Sequence, residues 1–146
     1  MLGLSLVNTT VSGNRARLVG GGMYITGKIN FDGDNADVDV VNTILWGNRA
    51  PVAADLFVEP TVDNTTVNAD HSDIGESEMP VGSFNDLGGN IDADPLLVQP
   101  RRDAHLRPGS PAIDAGTCTG APADDFDGDT RPNGLECDIG ADEFVP

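Results

Sequence analysis

The chain has 146 residues, enough for one domain with a core of its own and too few for several. Its 24 acidic residues against 8 basic ones give a net charge of −16, with Lys28 the only lysine, and this excludes a nucleic-acid partner, because phosphate binding needs clustered Lys or Arg. With 18 Gly, 10 Pro and 5% aromatic residues the composition favours turns and short strands over helices, and no apolar run reaches the length of a membrane span.

The N-terminal part carries an internal repeat. Val7-Asn8-Thr9-Thr10-Val11-Ser12-Gly13-Asn14-Arg15-Ala16 returns as Val41-Asn42-Thr43-Ile44-Leu45-Trp46-Gly47-Asn48-Arg49-Ala50, an offset of 34 with seven of ten positions identical. A third, fainter copy starts at Asn64-Thr65-Thr66-Val67, 22 residues after Asn42, and a polar insertion over 26–37 accounts for the difference between the two offsets. A helix-free repeat of about 22 residues is what one rung of a parallel β-helix needs, three short strands and three bends. Strand parity then turns Leu6, Val40 and Val62 inward, with Thr10, Ile44 and Thr66, and turns Val7, Val41 and Asp63 to solvent. The same parity stacks Asn8, Asn42 and Asn64 as an amide ladder at a bend. Gly20–Ile25 and Ala54–Val58 read as the second strands of their rungs. Residues 1–80 are thus about three rungs, and 81–146, dense in Asp, Gly and Pro, form an irregular cap that closes the solenoid.

The cap holds both cysteines, Cys118 and Cys137. A disulfide between them would imply an oxidising compartment. No signal-peptide pattern opens the chain, so a secreted parent would carry its signal upstream of Met1.

An acidic, Lys-poor chain suits calcium coordination by hard oxygens, solubility in concentrated salt, or merely a solvated acidic surface. Asp125, Asp127 and Asp129 alternate as in an EF-hand loop, with Glu136 at the twelfth position, but Thr130 stands where the sharp turn needs Gly. They are metal candidates as a looser oxygen cage, or else cap turns and pair with Arg131; Asp92 and Asp94 are a weaker second set. For polysaccharide cleavage the candidates are Asp70, His71 and Asp73, which lie close together, and Arg49, which shares a register with Arg15. A solvated turn explains the stacked arginines as well, and Lys28 in the insertion has no evident partner. His105 reads as a packed cap residue. Ser110 lacks the second Gly of a nucleophile elbow. Trp46 and Tyr24, the only residues of their kinds, are candidate stacking platforms for a sugar ring, with core packing as the alternative.

Taken in order, Asn42–Asn48, His71-Ser72-Asp73-Ile74, Gly89–Leu96, His105–Gly116, Asp127–Pro132 and Asp138–Glu143 resemble the C-terminal end of choice-of-anchor Q domain proteins, right-handed parallel β-helices related to the pectate-lyase-like superfamily. The resemblance implies a right-handed helix, a secreted or cell-surface bacterial setting, and association with polysaccharide. It leads to a non-catalytic C-terminal module that closes a solenoid and binds calcium or polysaccharide. A fragment of a polysaccharide lyase or glycoside hydrolase is the alternative, and an acidic, salt-adapted structural protein without ligand is the third reading. Signal and anchor are expected outside this sequence. A solenoid cut between rungs exposes strand edges and Leu2, Leu4 and Leu6, which predicts a homo-oligomer through the N-terminal rung, with no nucleic acid and no membrane insertion.

Overall fold

Runs of three to six strand-forming residues, cut at short intervals by Gly, Asn or Pro, leave no room for a helix. The structure, a computed structural model, describes residues 3–25, 36–59, 65–79 and 83–146, and these hold 12 strands and no helix. A first pass of the chain lays down β1 (Leu4–Val7), β2 (Thr10–Ser12) and β3 (Met23–Ile25). A second lays down β4 (Ala36–Val41), β5 (Ile44–Trp46) and β6 (Leu56–Val58), and a third β7 (Thr65–Asp70), β8 (Asp73–Ile74) and β9 (Ser77–Glu78). Counterparts pair in parallel, giving sheets β2-β5-β8 and β3-β6-β9 and, with β10 (Phe84–Gly88), a four-stranded sheet β1-β4-β7-β10. β11 (Leu97–Gln99) and β12 (Asp103–Leu106) form an antiparallel pair. The protein is all-β with mostly parallel sheets, an arrangement compatible with a β-solenoid. β10 belongs to the parallel stack although its residues lie in the segment that the sequence assigns to the cap.

One corner recurs between the first and second sheets. Asn8, Asn42 and His71 adopt φ of 45°, 46° and 44°, and Gly89 follows at 66°. The next residue carries a hydroxyl that donates to the carbonyl two positions back: Thr9 to Val7 (3.0 Å), Thr43 to Val41 (2.9 Å) and Ser72 to Asp70 (3.0 Å). Each hydroxyl closes the turn, and at Val41 and Asp70 it shares the carbonyl with a backbone N–H of the preceding pass, from Asn8 and Asn42 at 3.1 Å. The third corner therefore falls at His71, 29 residues after Asn42, and not at Asn64. Ala69, not Val62, pairs with Val40, and Asp73, not Thr66, pairs with Ile44. Thr66 lies within β7 opposite Asp37. In 65–67 the likeness to the corner is a likeness of strand residues; Asn64, Val62 and Asp63, like Lys28 and most of the 26–37 insertion, lie outside the described residues.

Two cores share the β2-β5-β8 sheet. Inside the passes, Val38, Val40, Leu45, Leu56, Val58 and Val67 are buried together with Ile25. Ile44, next to Leu45, points to the opposite face. There it packs with Leu97, Leu106, Ala112 and Ile139. The expected inward direction of Thr10 and Ile44 is thus reversed: the strand Ile44-Leu45-Trp46 is apolar on both sides because both sides are covered. Val7 and Val41 are likewise half-buried and not solvated. Among the described residues, the C-terminal segment lies along this outer face: Gly140 N donates to Asn42 O (2.8 Å), Ala141 N to Thr10 Oγ1 (3.0 Å) and Asn8 Nδ2 to Asp138 O (3.3 Å). Burying each of the large aliphatic side chains there contributes about 1.5–3 kcal/mol. Cys118 and Cys137 are disulfide-bonded within this segment, 5.1 Å apart at Cα. Such a bond fits an oxidising environment.

Candidate functional site

Asp70 and His71 end β7 at the recurring corner, where His71 Nδ1 meets Asp70 Oδ1 at 2.7 Å. Asp73, two residues on, is fully buried on the face covered by residues 91–95, where its Oδ1 accepts Ala93 N–H at 3.2 Å and its Oδ2 has no partner. Burial lifts its pKa to about 7 despite that bond, and the nearby carboxylates of Asp92, Asp55 and Asp94 push the same way. Arg49 stands at the next corner, beyond β5, directly beside Arg15 in a parallel bridge. With Arg17 these two line an open groove, exposed and with no ion pair among the described residues. The four residues nominated for polysaccharide cleavage are thus not brought together: Arg49 lies past the end of β5, Asp70 and His71 at the corner before β8, and Asp73 has no exposed surface. A carboxylate titrating near neutrality is the right tool for acid catalysis only where a substrate can reach it.

Tyr24 and Trp46 lie in different sheets and make no common platform. Tyr24 is half-exposed, packs on Phe57 with ring centroids 5.6 Å apart, and donates its hydroxyl to Glu59 Oε2 at 3.2 Å. Trp46 is half-buried against the outer core.

The Asp125 loop is built as a turn. Asp125 Oδ1 accepts N–H bonds from Asp127, Gly128 and Asp129 at 2.9–3.0 Å, and Oδ2 accepts Glu143 N–H at 2.9 Å. Burial works against the charge, but these donors outweigh it and hold the carboxyl down at about 2. Asp125, Asp127 and Asp129 can bring oxygens within 4.8 Å of one another, yet Asp125 has one oxygen already saturated. Arg131 does not pair with them. Its buried guanidinium meets Glu143 Oε2 at 2.8 Å and donates to the carbonyls of Gly140, Ala141 and Asp142. Glu143 also accepts the N–H groups of Asn133 and Asp138, and Asp138 accepts those of Asp114 and Phe144. Burial raises Asp138 to about 6 against those bonds. The carboxylates of Asp138 to Glu143 thus serve as backbone acceptors that fold a segment without ladders. Asp92 and Asp94 are exposed, and Asp94 caps Leu96 N–H at 2.9 Å, the turn-initiating role. Ser110 is buried and donates to Pro95 O at 2.7 Å, a structural bond.

Asn8 and Asn42 do stack, Asn42 Nδ2 donating to Asn8 Oδ1 at 3.3 Å. They face the C-terminal segment, where Asn42 also holds Thr117 through its N–H and its carbonyl. A second ladder escapes the sequence reading: Asn85 Nδ2 donates to Asn68 Oδ1 (3.1 Å) and Asn68 Nδ2 to Asp39 Oδ1 (2.8 Å), on the exposed face of the four-stranded sheet. Its only signal was the register between passes.

His105 is the group that the sequence undervalued. Its Nε2 meets Asp127 Oδ2 at 2.9 Å and its Nδ1 meets Asp103 Oδ1 at 2.5 Å, with the Phe126 ring set edgewise at 4.9 Å. Hydrogen bonds to Asp127 and Asp103 raise its pKa to about 9. The imidazole is therefore an imidazolium at neutral pH, a donor at both nitrogens and no general base. The i, i+2 spacing of Asp103 and His105 on one face of β12 was a usable signal; Asp127 was not, because it arrives from a distant loop.

No family model, curated protein or solved structure matches the chain.

Proposed function

We propose that the chain is the terminal portion of a right-handed parallel β-helix in a secreted or cell-surface protein, similar to choice-of-anchor Q domain proteins, and that it works as a non-catalytic module. Its C-terminal segment braces the stack from the side, and the disulfide clips that brace. One observation carries this reading: the carboxylates and the histidine nominated for chemistry are buried, dispersed or bonded to the chain's own backbone. Among the described residues, the grooves beside Arg49, Phe126 and Phe84 are each lined by at most one carboxylate, whereas glycoside hydrolysis needs two across a groove, roughly 5–10 Å apart. Incubation with polygalacturonate or alginate is expected to release neither unsaturated products nor reducing ends. Product formation that disappears in Arg49→Ala would replace this reading with the polysaccharide-lyase alternative.

Polysaccharide binding without cleavage is a second reading, favoured by the half-exposed Tyr24 against Phe57. Retardation of the protein in gels containing polygalacturonate, lost in Tyr24→Ala, would support it; equal migration of both proteins would leave the structural module without a glycan. Calcium at Asp125, Asp127 and Asp129 belongs to the same proposal only if millimolar calcium raises the melting temperature and Asp129→Asn cancels the rise. An unchanged melting temperature favours the salt-adapted structural reading.

A further inference from the structure

We propose that the connections 13–22 and 47–55 form a ledge that binds one dianionic phosphate group, free or as a small monoester, through Arg15, Arg17 and Arg49. Neither Tyr24 nor Phe57 lines this site, and it does not rest on the chain being a polysaccharide binder.

The connection between the second and third sheets is the first argument. In the third pass Gly75 and Glu76 alone take the chain from β8 to β9, whereas the first two passes use 13–22 and 47–55 for the same step. The fold can therefore make this turn without the longer connection, whose ordering costs conformational entropy. The two long connections pair with each other, Arg15 beside Arg49 and Val19 beside Val52, and Ala16 N donates to Arg49 O at 2.8 Å. Long connections held in one shape where a short one suffices are where binding residues concentrate.

The charge on the ledge is the second argument. Arg15, Arg17 and Arg49 line a groove of about 740 Å³ with Ala16, Ala50 and Pro51, and no carboxylate lines it. Asp55 is the only carboxylate in the two connections, and it is buried and committed elsewhere. Its Oδ1 accepts the backbone N–H (2.9 Å) and the side-chain amide (2.8 Å) of Asn48, and its Oδ2 accepts Glu76 N–H at 3.0 Å. Asn48 accepts Asn14 N–H in turn at 3.0 Å, which ties the ledge together from behind. The three arginines are exposed and make no ion pair or side-chain hydrogen bond among the described residues. With 24 acidic residues against 8 basic ones, that is not for want of carboxylates. Neighbouring strands lie about 4.8 Å apart, and like charges directly opposite at that spacing destabilise. A bound anion removes a repulsion between Arg15 and Arg49 that the protein itself leaves standing.

The turn at 100–102 adds to the field. Ser12 Oγ donates to Pro100 O at 2.5 Å, and Gly13, at φ of 68°, has no side chain to collide with Arg101 Cγ. Arg101 thus lies against Gly13, two residues before Arg15, and with Arg102 it brings five of the eight basic residues to this margin, where they draw anions in. One guanidinium fork satisfies the two oxygens of a carboxylate. Three forks in one groove suit a group with more acceptor oxygens and nearly two charges, which a phosphate monoester has at neutral pH. An extended polyanion suits it less, because beyond the arginines it would run onto a molecule of net charge −16. Leu18 and Val52, 75% and 39% exposed on the same ledge, offer a contact to the apolar part of an ester.

Calorimetric titration of the full chain with butyl phosphate is expected to show saturable binding of one equivalent, and acetate at the same ionic strength none. Binding tighter than that of inorganic phosphate, with the difference lost in Leu18→Ser, assigns the group to an ester; equal binding assigns it to the free ion. Arg15→Gln and Arg49→Gln should each weaken binding at least about tenfold, the loss of one charge-assisted hydrogen bond. Arg107, exposed and bonded to Val98 O outside the groove, supplies the control: Arg107→Gln should bind as before. Should an arginine variant lose its fold, the Nε resonances of the unaltered protein decide: butyl phosphate must move those of Arg15 and Arg49 and leave that of Arg107. Binding that does not saturate, an equal response to acetate, indifference to Arg49→Gln, or polygalacturonate held by these arginines and not displaced by butyl phosphate would overturn the site.

Discussion

Arg131 shows how a single buried charge organises the C-terminal segment. Its side chain and that of Glu143 are each 1% exposed, and together they tie down three carbonyls and two N–H groups. Arg131→Met would leave the Glu143 carboxylate buried and without its counter-charge, and breaking a buried pair from one side costs about 3–5 kcal/mol. Urea denaturation followed by circular dichroism should show that loss. Asp73 sets a second expectation, in pH. Its folded-state pKa near 7 lies well above the roughly 3.9 of an unfolded aspartate, so the fold binds more protons than the unfolded chain between about pH 4 and 7. For a raised acid the sign is negative: stability falls as pH rises through that window, and Asp138, raised to about 6, adds in the same direction. Asp125, held at about 2, acts oppositely and only below about pH 4. In Asp73→Asn the difference in urea stability between pH 5 and pH 8 should shrink by roughly 2–3 kcal/mol. An unaltered slope would mean that Asp73 ionises freely in the fold.

At the scale of elements, the repeat from Val7 and Val41 was legible because identical residues build identical corners. The third corner was not, because its requirement is a left-handed residue followed by a hydroxyl, and His71-Ser72 meets that as well as Asn-Thr does. Strand parity failed at Ile44 for a related reason. Parity assumes one buried face, and a strand covered on both faces has no polar position to reveal its phase. What seals the outer face is a close approach: Gly140 has φ of 110°, and a Cβ there would stand 2.7 Å from Ile44 Cδ1 and 2.9 Å from Thr10 Oγ1. Gly140→Ala should therefore lift the C-terminal segment from the sheet and cost on the order of 1–3 kcal/mol. Hydrogen exchange separates the levels: amides of Ile139 and Gly140 should exchange faster while those of β4 and β7 keep their protection.

At the scale of the molecule, the sequence led to a plug over the end of the stack, whereas the described C-terminal residues brace its side. Composition could not distinguish these, since an irregular Asp-rich segment satisfies its own backbone in either place, and the meeting of His105 with Asp127 depends on that lateral course. A lateral brace leaves the first pass uncovered along its strands. Among the described residues β1, β2 and β3 each pair on one side only, and Leu4 is 52% exposed at that edge. Unpaired strand edges with apolar side chains recruit further strands. Two copies meeting edge to edge about a two-fold axis would pair these strands in antiparallel fashion and close the assembly as a dimer. A charge of −16 on each copy opposes that contact, and salt screens it. Light scattering at micromolar protein should therefore report a mass above the 15.2 kDa of one chain, rising toward twice that value as salt is added, and Leu4→Lys should return it to the single-chain mass. A single-chain mass for the unaltered protein at every salt concentration would refute an association through this edge at micromolar protein, because screening removes the charge repulsion and the apolar contact would then have failed to outweigh the entropy lost on association.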